Sequence, residues 1–252
     1  MEDLDADRVV PGSADAILRI LDAFGLHCDG EVQYQSRRTA GYAEALAALR
    51  ARGMTFECSC SRRELASDAG PSGRYPGTCR SGPRRGGPTA TRFKMTDAPI
   101  AFEDRFQGLI EIPAGSLGDV IVRRRDGIFA YQLAVVVDDA LQGVTDVVRG
   151  ADLLESTGWQ IALQRSLGLS MPRYGHLPLL TEPGGGKLAK ARHTVALDPA
   201  RAGEQLWTVL GLLRQAPPRA LASAPPAQLL AWAVEHWNPD AFRLTRRIEL
   251  AR

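Results

Sequence analysis

Residues 144–167 read VTDVVRGADLLESTGWQIALQRSL, and the two halves of this stretch follow different periodicities. Val144–Val148 is a short apolar run bounded by turn residues, as a buried strand is, while Asp152 to about Leu167 has the length and apolar spacing of a helix. A strand feeding a helix, with His176–Leu180 as the next strand candidate, is the repeating unit of an α/β sheet. Arg149 and Gly150 then fall at the carboxyl end of a strand, where ligands of open α/β sheets gather.

The same alternation holds further upstream. Ala14, Ile17, Leu18, Leu21 and Phe24 recur at helical spacing, with Gly25 placed to end the helix. A second helix is expected from about Thr39, carried by Tyr42, Ala45, Leu46 and Leu49 and ended by Gly53, after which Met54–Cys58 reads as a strand. Thr91–Met95, Ile100–Asp104 and Leu109–Ile112 read as strands of an inserted antiparallel patch. Asp119–Arg125, the Asp126–Gly127 turn and Ile128–Tyr131 read as a hairpin, which places Tyr131 near a strand end. Leu133–Val137 carries the apolar run on into the acidic pair Asp138–Asp139. Beyond Asp198, Ala, Leu and Trp at helical spacing, broken by Pro217–Pro218 and Pro225–Pro226, predict about three short helices.

Composition is that of an ordinary globular chain. The 252 residues are 44% hydrophobic and 24% charged, and 31 Lys plus Arg against 29 Asp plus Glu leave a formal net charge of +2. No run of about 18 apolar residues is present, so no bilayer-spanning helix is expected. The acidic start, Met-Glu-Asp-Leu-Asp, lacks the basic and apolar regions of a signal peptide, and the expected compartment is the cytoplasm.

From Cys58 to about Pro88 the chain turns to Cys, Arg, Ser, Gly and Pro, with little apolar material for a core. Cys58, Cys60 and Cys79, with the Tyr75 phenol between them, are suited to a tetrahedral Zn²⁺ that would contribute the missing folding energy. No histidine lies between Cys58 and Cys79, so the fourth ligand is Tyr75 or a residue from elsewhere such as His27 or Cys28. The plain alternative is three small buried hydrophobes. Ser61 and Glu64 have the capping-box spacing of a short helix.

Gly184–Gly185–Gly186 followed by Lys187 and Lys190 reads as a mobile cationic loop able to close over a polyphosphate, although it lacks the P-loop pattern. Arg149 has the fork geometry that captures a carboxylate, Tyr131 can line the same pocket, and Glu2 can hold an ammonium group. The competing reading pairs Arg149 with Asp152 or Glu155 on the following helix. Arg62–Arg63, Arg84–Arg85 and Arg123–Arg124–Arg125 are compatible with phosphate-backbone contacts. Lipase-type, zinc-protease and dinucleotide fingerprints are absent from the sequence.

Together, Glu2-Asp-Leu-Asp with Pro11-Gly-Ser-Ala-Asp, Cys58-x-Cys60…Tyr75-x3-Cys79, Arg124 to Asp139 (RRDGIFAYQLAVVVDD), Val148-Arg-Gly-Ala-Asp-Leu and Lys187-Leu-Ala-Lys190 resemble the glutamyl-queuosine tRNA(Asp) synthetases, short paralogues of glutamyl-tRNA synthetase. The resemblance runs along most of the chain. It implies a class I aminoacyl-tRNA synthetase catalytic domain, Rossmann-like, with a small zinc-bearing insertion and a helical C-terminal part. The implied division is residues 1–57 and 116–185 for the catalytic domain, 58–115 for the insertion, and 186–252 for the lysine loop and helices.

The implied chemistry is activation of L-glutamate by ATP, with Mg²⁺, and transfer of glutamate to queuosine in tRNA(Asp). The resemblance assigns Glu2, Tyr131 and Arg149 to glutamate, Lys187 and Lys190 to catalysis with Lys190 on ATP, and Cys58, Cys60, Tyr75 and Cys79 to one structural zinc. It implies a monomer with no membrane partner. The family's opening strand and HIGH-type phosphate-binding motif should lie upstream of Glu2, so the catalytic domain is expected to be N-terminally incomplete, either because an internal codon was read as the start at Met1 or because the gene is genuinely truncated. Ala189 stands where the lysine signature commonly has Ser. Two other readings stay open: a zinc-stabilised tRNA-binding remnant without catalysis, and a fragment of an ordinary glutamyl-tRNA synthetase.

Overall fold

The computed structural model describes residues 1–61, 63–65, 74–182 and 197–250. In chain order the elements are α1 (Ser13–Ala23), α2 (Thr39–Ala51), β1 (Thr55–Cys58), β2 (Ala90–Phe93), β3 (Ile100–Asp104), β4 (Gly108–Ile112) and β5 (Val120–Arg123). They continue with α3 (Tyr131–Leu141), β6 (Asp146–Gly150), α4 (Leu154–Leu167), β7 (Arg173–Leu177), β8 (Leu179–Thr181), α5 (Ala202–Leu212), α6 (Pro226–His236) and β9 (Arg247–Glu249). Short 3₁₀ turns connect them.

Both N-terminal helices end as their glycines predict. Gly25 (φ 72°) and Gly53 (φ 66°) take the left-handed conformation that side chains resist. At the first end, Leu26 N–H donates to Leu21 O at 2.8 Å and Gly25 N–H to Asp22 O at 2.9 Å, satisfying the last helical carbonyls.

The central sheet has the order β4-β3-β7-β6. β6 and β7 run parallel in register Arg149↔His176, β3 pairs in parallel with β7 at Asp104↔Tyr174, and β4 is antiparallel to β3. This differs from the expectation of one inserted antiparallel patch. β3 and β4 belong to the parallel sheet, whereas β2 joins β1 and β5 in a separate antiparallel sheet of order β1-β2-β5. Strands of 4 or 5 residues are too short to name their partners, and the pairing assigns them to their sheets.

Tyr131, expected near a strand end, instead opens a helix. Residues 131–141 are helical, with Leu133, Ala134, Val136 and Val137 buried on one face against Tyr42, Leu46 and Leu49 of α2. The β-branched residues hid the three- and four-residue spacing of the buried positions. Tyr131 is therefore the first residue of a helix, and the preceding hairpin ends at the Arg123↔Phe129 bridge.

The principal core lies between these helices and the sheet, where Ile161 and Leu163 of α4 meet Phe102, Ile110 and Tyr174. A second cluster joins Phe24, at the end of α1, to Leu206, Leu210, Leu229 and Ala233 of α5 and α6. No described helix is long and apolar enough to cross a membrane.

Candidate active site

Asp138 explains how an acidic residue lies within an apolar helix. It is buried, and its carboxylate accepts from Gln35 Nε2 at 3.0 Å, Arg38 Nε at 2.7 Å and Tyr42 Oη at 2.7 Å. The network ties α3 to α2 and to the segment before it. The N-terminal run is anchored on that segment: Gln35 N–H donates to Met1 O at 3.1 Å, and Asp3 accepts from Ser36 N and Oγ at 2.8 and 2.7 Å. Leu4 packs against the core. Glu2 is thus held in place rather than trailing in solvent.

Glu2 lines a cavity of about 690 Å³ between α1, residues 31–35 and α3, and Asp139 faces the same space. Burial, with the charges of Asp138 and Glu2, pushes the Asp139 carboxyl up to about 6 from an ordinary 3.8, Arg149 opposing the rise. The folded chain therefore holds the proton more tightly than the unfolded one, so stability falls as pH rises between about 4 and 6. Asp139→Asn is expected to remove this fall, flattening the melting temperature against pH in that window; an unchanged profile would show that Asp139 is not the group concerned.

Arg149 sits in β6, one residue before its carboxyl end. Its Nε–H donates to His176 Nε2 at 3.2 Å, one terminal nitrogen to Thr157 Oγ1 at 2.8 Å and Gln160 Oε1 at 2.6 Å, and the other to Tyr131 Oη at 3.4 Å. None of these partners is anionic. No described carboxylate lies within 4.0 Å of the guanidinium, so the competing pairing with Asp152 or Glu155 is not formed. A half-buried cation held only by neutral acceptors is incompletely compensated, and an anionic ligand would complete it.

The structure brings Tyr131 and Arg149 together and sets Glu2 nearby. Burial raises the Tyr131 phenol, Arg149 lowers it and Glu2 raises it again, so all three share one electrostatic environment. A fixed cation beside Glu2 and Asp139 is complementary to an amphoteric ligand such as an amino acid. Lys187 and Lys190, with Ala189, lie outside the described residues.

The cysteine cluster is a separate construction. Cys58 ends β1, and Arg125 reaches from the hairpin to donate to Ser59 O and Cys60 O, both at 3.1 Å. The sulfurs of Cys58, Cys60 and Cys79 lie within 4.8 Å of one another, Cys60 and Cys79 being 3.5 Å apart. Two sulfurs on one zinc at ~2.3 Å would be separated by ~3.8 Å, so the spacing suits a shared ion. Tyr75 Oη lies 3.4 Å from Cys58 Sγ and 4.0 Å from Cys60 Sγ, and accepts from Cys79 N–H at 2.8 Å. His27 and Cys28, the other candidates for a fourth ligand, line the Glu2 cavity instead.

Burial opposes ionisation of Cys79, but hydrogen bonds from Ser59 N–H, Tyr75 and Cys60 bring its thiol down to about 6; burial and the neighbouring thiols push Cys60 up to about 11. One thiolate is therefore available near neutral pH. Among the described residues, the buried apolar cluster around it comprises Phe56, Cys58, Tyr75 and Cys79, with Cys60 and Leu65 partly buried against it.

Residues 1–205 match the family described as tRNA synthetases class I (E and Q), catalytic domain. The chain belongs to this family. The chain is 48% identical over 252 residues to the glutamyl-Q tRNA(Asp) synthetase of Ectopseudomonas mendocina (strain ymp), covering 100% of this chain and 84% of that protein. It is 49% identical over 248 residues to the glutamyl-Q tRNA(Asp) synthetase of Dechloromonas aromatica (strain RCB), covering 96% and 82%. The glutamate-tRNA synthetase of Elizabethkingia anophelis shares the fold, with a TM-score of 0.74 and 19% identity over 99% of this chain and 60% of that one. The chain is thus a ligase of the aminoacyl-tRNA synthetase kind, with a class I glutamyl-tRNA synthetase-like α/β fold.

Of the basic clusters, Arg124 bonds Asp5 at 2.5 Å and Arg85 bonds Glu64, so part of that charge is spent inside this synthetase. His176, Thr157 and Gln160, which bond Arg149, and Asp104, which bonds His176, carried no sequence signal. Their partners are 8 to 72 residues apart and meet only once β3, β6, β7 and α4 are assembled.

Proposed function

We propose that this synthetase activates L-glutamate with ATP and transfers it to queuosine at the wobble position of tRNA(Asp). The observation that carries the glutamate reading is Arg149, a cation with four neutral acceptors and no carboxylate partner among the described residues. The acceptor reading rests on the relatives, named for glutamyl-Q tRNA(Asp) synthesis.

The α-carboxylate of glutamate must be free to attack the α-phosphate of ATP, so Arg149 and Tyr131 take the side-chain carboxylate. Glu2 takes the ammonium group. Attack expels pyrophosphate and leaves glutamyl-adenylate. A hydroxyl of the queuosine cyclopentenediol then attacks the activated carbonyl, giving the ester and releasing AMP. Lys187 and Lys190 supply positive charge to the phosphates, with Mg²⁺ accompanying ATP. Acceleration comes mainly from positioning and from charge stabilisation at phosphorus.

Cys58, Cys60, Tyr75 and Cys79 would hold one zinc, whose contribution is folding energy for the insertion. The protein is proposed to act as a cytoplasmic monomer.

The test is glutamate-dependent ATP–pyrophosphate exchange in the absence of tRNA. Exchange with L-glutamate and not with L-glutamine is expected. Exchange with neither would refute activation by this chain and favour the non-catalytic tRNA-binding reading.

A further inference from the structure

We infer that His176 is a positioning residue for Arg149, and that Asp104 makes it one by fixing which ring nitrogen carries the proton. The inference rests on the reading of Arg149 as the carboxylate-binding group. Asp104 and His176 are fully buried, on neighbouring parallel strands. Asp104 Oδ1 accepts three backbone N–H groups, from Phe106 at 3.0 Å, Gln107 at 2.9 Å and His176 at 3.1 Å. Its Oδ2 lies 2.5 Å from His176 Nδ1. These bonds outweigh burial and hold the Asp104 carboxyl below its ordinary range, so it is ionised and can only accept.

The consequence passes through the ring. An acceptor-only Asp104 requires the proton on Nδ1, which leaves Nε2 of the neutral imidazole with a lone pair. That lone pair faces Arg149 Nε–H at 3.2 Å, with the Thr157 hydroxyl at 3.1 Å. The Thr157 hydroxyl also has Leu153 O at 3.1 Å as an alternative acceptor, so Thr157 does not dictate the tautomer. Two donors of one terminal nitrogen go to Thr157 and Gln160, and one of the other goes to Tyr131. A guanidinium has five N–H groups. Four are spent inside the protein, and the fifth, on the nitrogen beside Tyr131, is left for a ligand. His176 sets the rotation that turns this donor outward.

Asp104→Asn tests the idea because the surroundings dictate how the amide must sit. Three backbone donors keep the amide oxygen at the Oδ1 position, so the amide NH₂ occupies the Oδ2 position and donates to Nδ1. The proton is then driven to Nε2, where it opposes Arg149 Nε–H. Long-range ¹H–¹⁵N spectra of the imidazoles report the tautomer, and only 4 histidines need assignment. Titration of L-glutamate in the same spectra gives its dissociation constant. The expected result is an Nδ1–H tautomer for His176 in the unaltered protein, an Nε2–H tautomer in Asp104→Asn, and glutamate affinity weakened by about 10–100-fold, as for partners that orient histidine ligands elsewhere. Affinity for ATP should stay within about twofold.

A second pair of variants does not depend on that substitution folding. His176→Gln can return an acceptor carbonyl toward Arg149 and should bind glutamate more tightly than His176→Leu, which cannot. Equal affinities in this pair, or unchanged affinity in folded Asp104→Asn, would overturn the inference while leaving Arg149 in place, provided Arg149→Gln weakens binding. Unchanged binding in Arg149→Gln, or none by the unaltered protein, would overturn the carboxylate reading and this inference with it.

Discussion

Arg149→Gln is expected to lower kcat/KM for L-glutamate by about 10²–10³-fold, equivalent to roughly 3–4 kcal/mol, while KM for ATP changes little. The magnitude follows from geometry. Glutamine keeps part of the polar volume beside Thr157, Gln160 and Tyr131 but removes the charge, so a desolvated carboxylate loses its counter-ion and keeps only neutral donors. Arg149→Lys should fall between the two, since an ammonium retains the charge but cannot hold the Thr157, Gln160 and His176 contacts while presenting a donor. Steady-state exchange kinetics with glutamate varied at saturating ATP make the measurement. A KM for glutamate unchanged in Arg149→Gln would remove Arg149 from the pocket.

Cys79→Ser is expected to release the metal and unfasten the segment between β1 and β2. Cys79 is completely buried, its thiol is brought down to about 6, and its sulfur stands 3.5 Å from that of Cys60. A serine hydroxyl is a poor ligand in this setting. Metal content should drop from about one zinc per chain to near none, with the melting temperature lowered on the order of 10 °C, because a structural zinc's binding energy is also folding energy. Chelation of the unaltered protein should reproduce the change. A metal-free preparation with an unaltered melting curve would instead make the three cysteines a small apolar cluster.

The residues proposed to bear chemistry stand out in the sequence more clearly than the elements carrying them. Cys58, Cys60, Tyr75 and Cys79 lie within 22 positions of core-poor sequence, so their grouping needed no long-range information. Arg149 could be placed at a strand's carboxyl end because β6 and α4 are contiguous and have distinct periods. Tyr131 lies beside Arg149 but opens a helix instead of ending a strand, a boundary that the Ile128–Tyr131 run does not show by itself.

The membership of β3 could not be read from its residues. A five-residue strand does not name its partner, and the parallel register with β7 at Asp104↔Tyr174 fixes it in the central sheet. Asp104, His176 and the Asp138 network were invisible for the same reason. Each depends on side chains 27 to 103 residues apart, and local spacing carries no information on such pairs. Lys187 and Lys190 stay a reading of sequence, lying outside the described residues.

The central claim is the identity of the acceptor, and the most direct measurement is transfer of radiolabelled L-glutamate to purified tRNA. Queuosine-containing tRNA(Asp), the same tRNA lacking queuosine, and tRNA(Glu) should be compared, with nuclease digestion to locate the label. Label is expected only on queuosine-containing tRNA(Asp), in the anticodon fragment, and dependent on ATP. Label on the 3′ end of tRNA(Glu) would contradict it and make the chain an ordinary glutamyl-tRNA synthetase in activity.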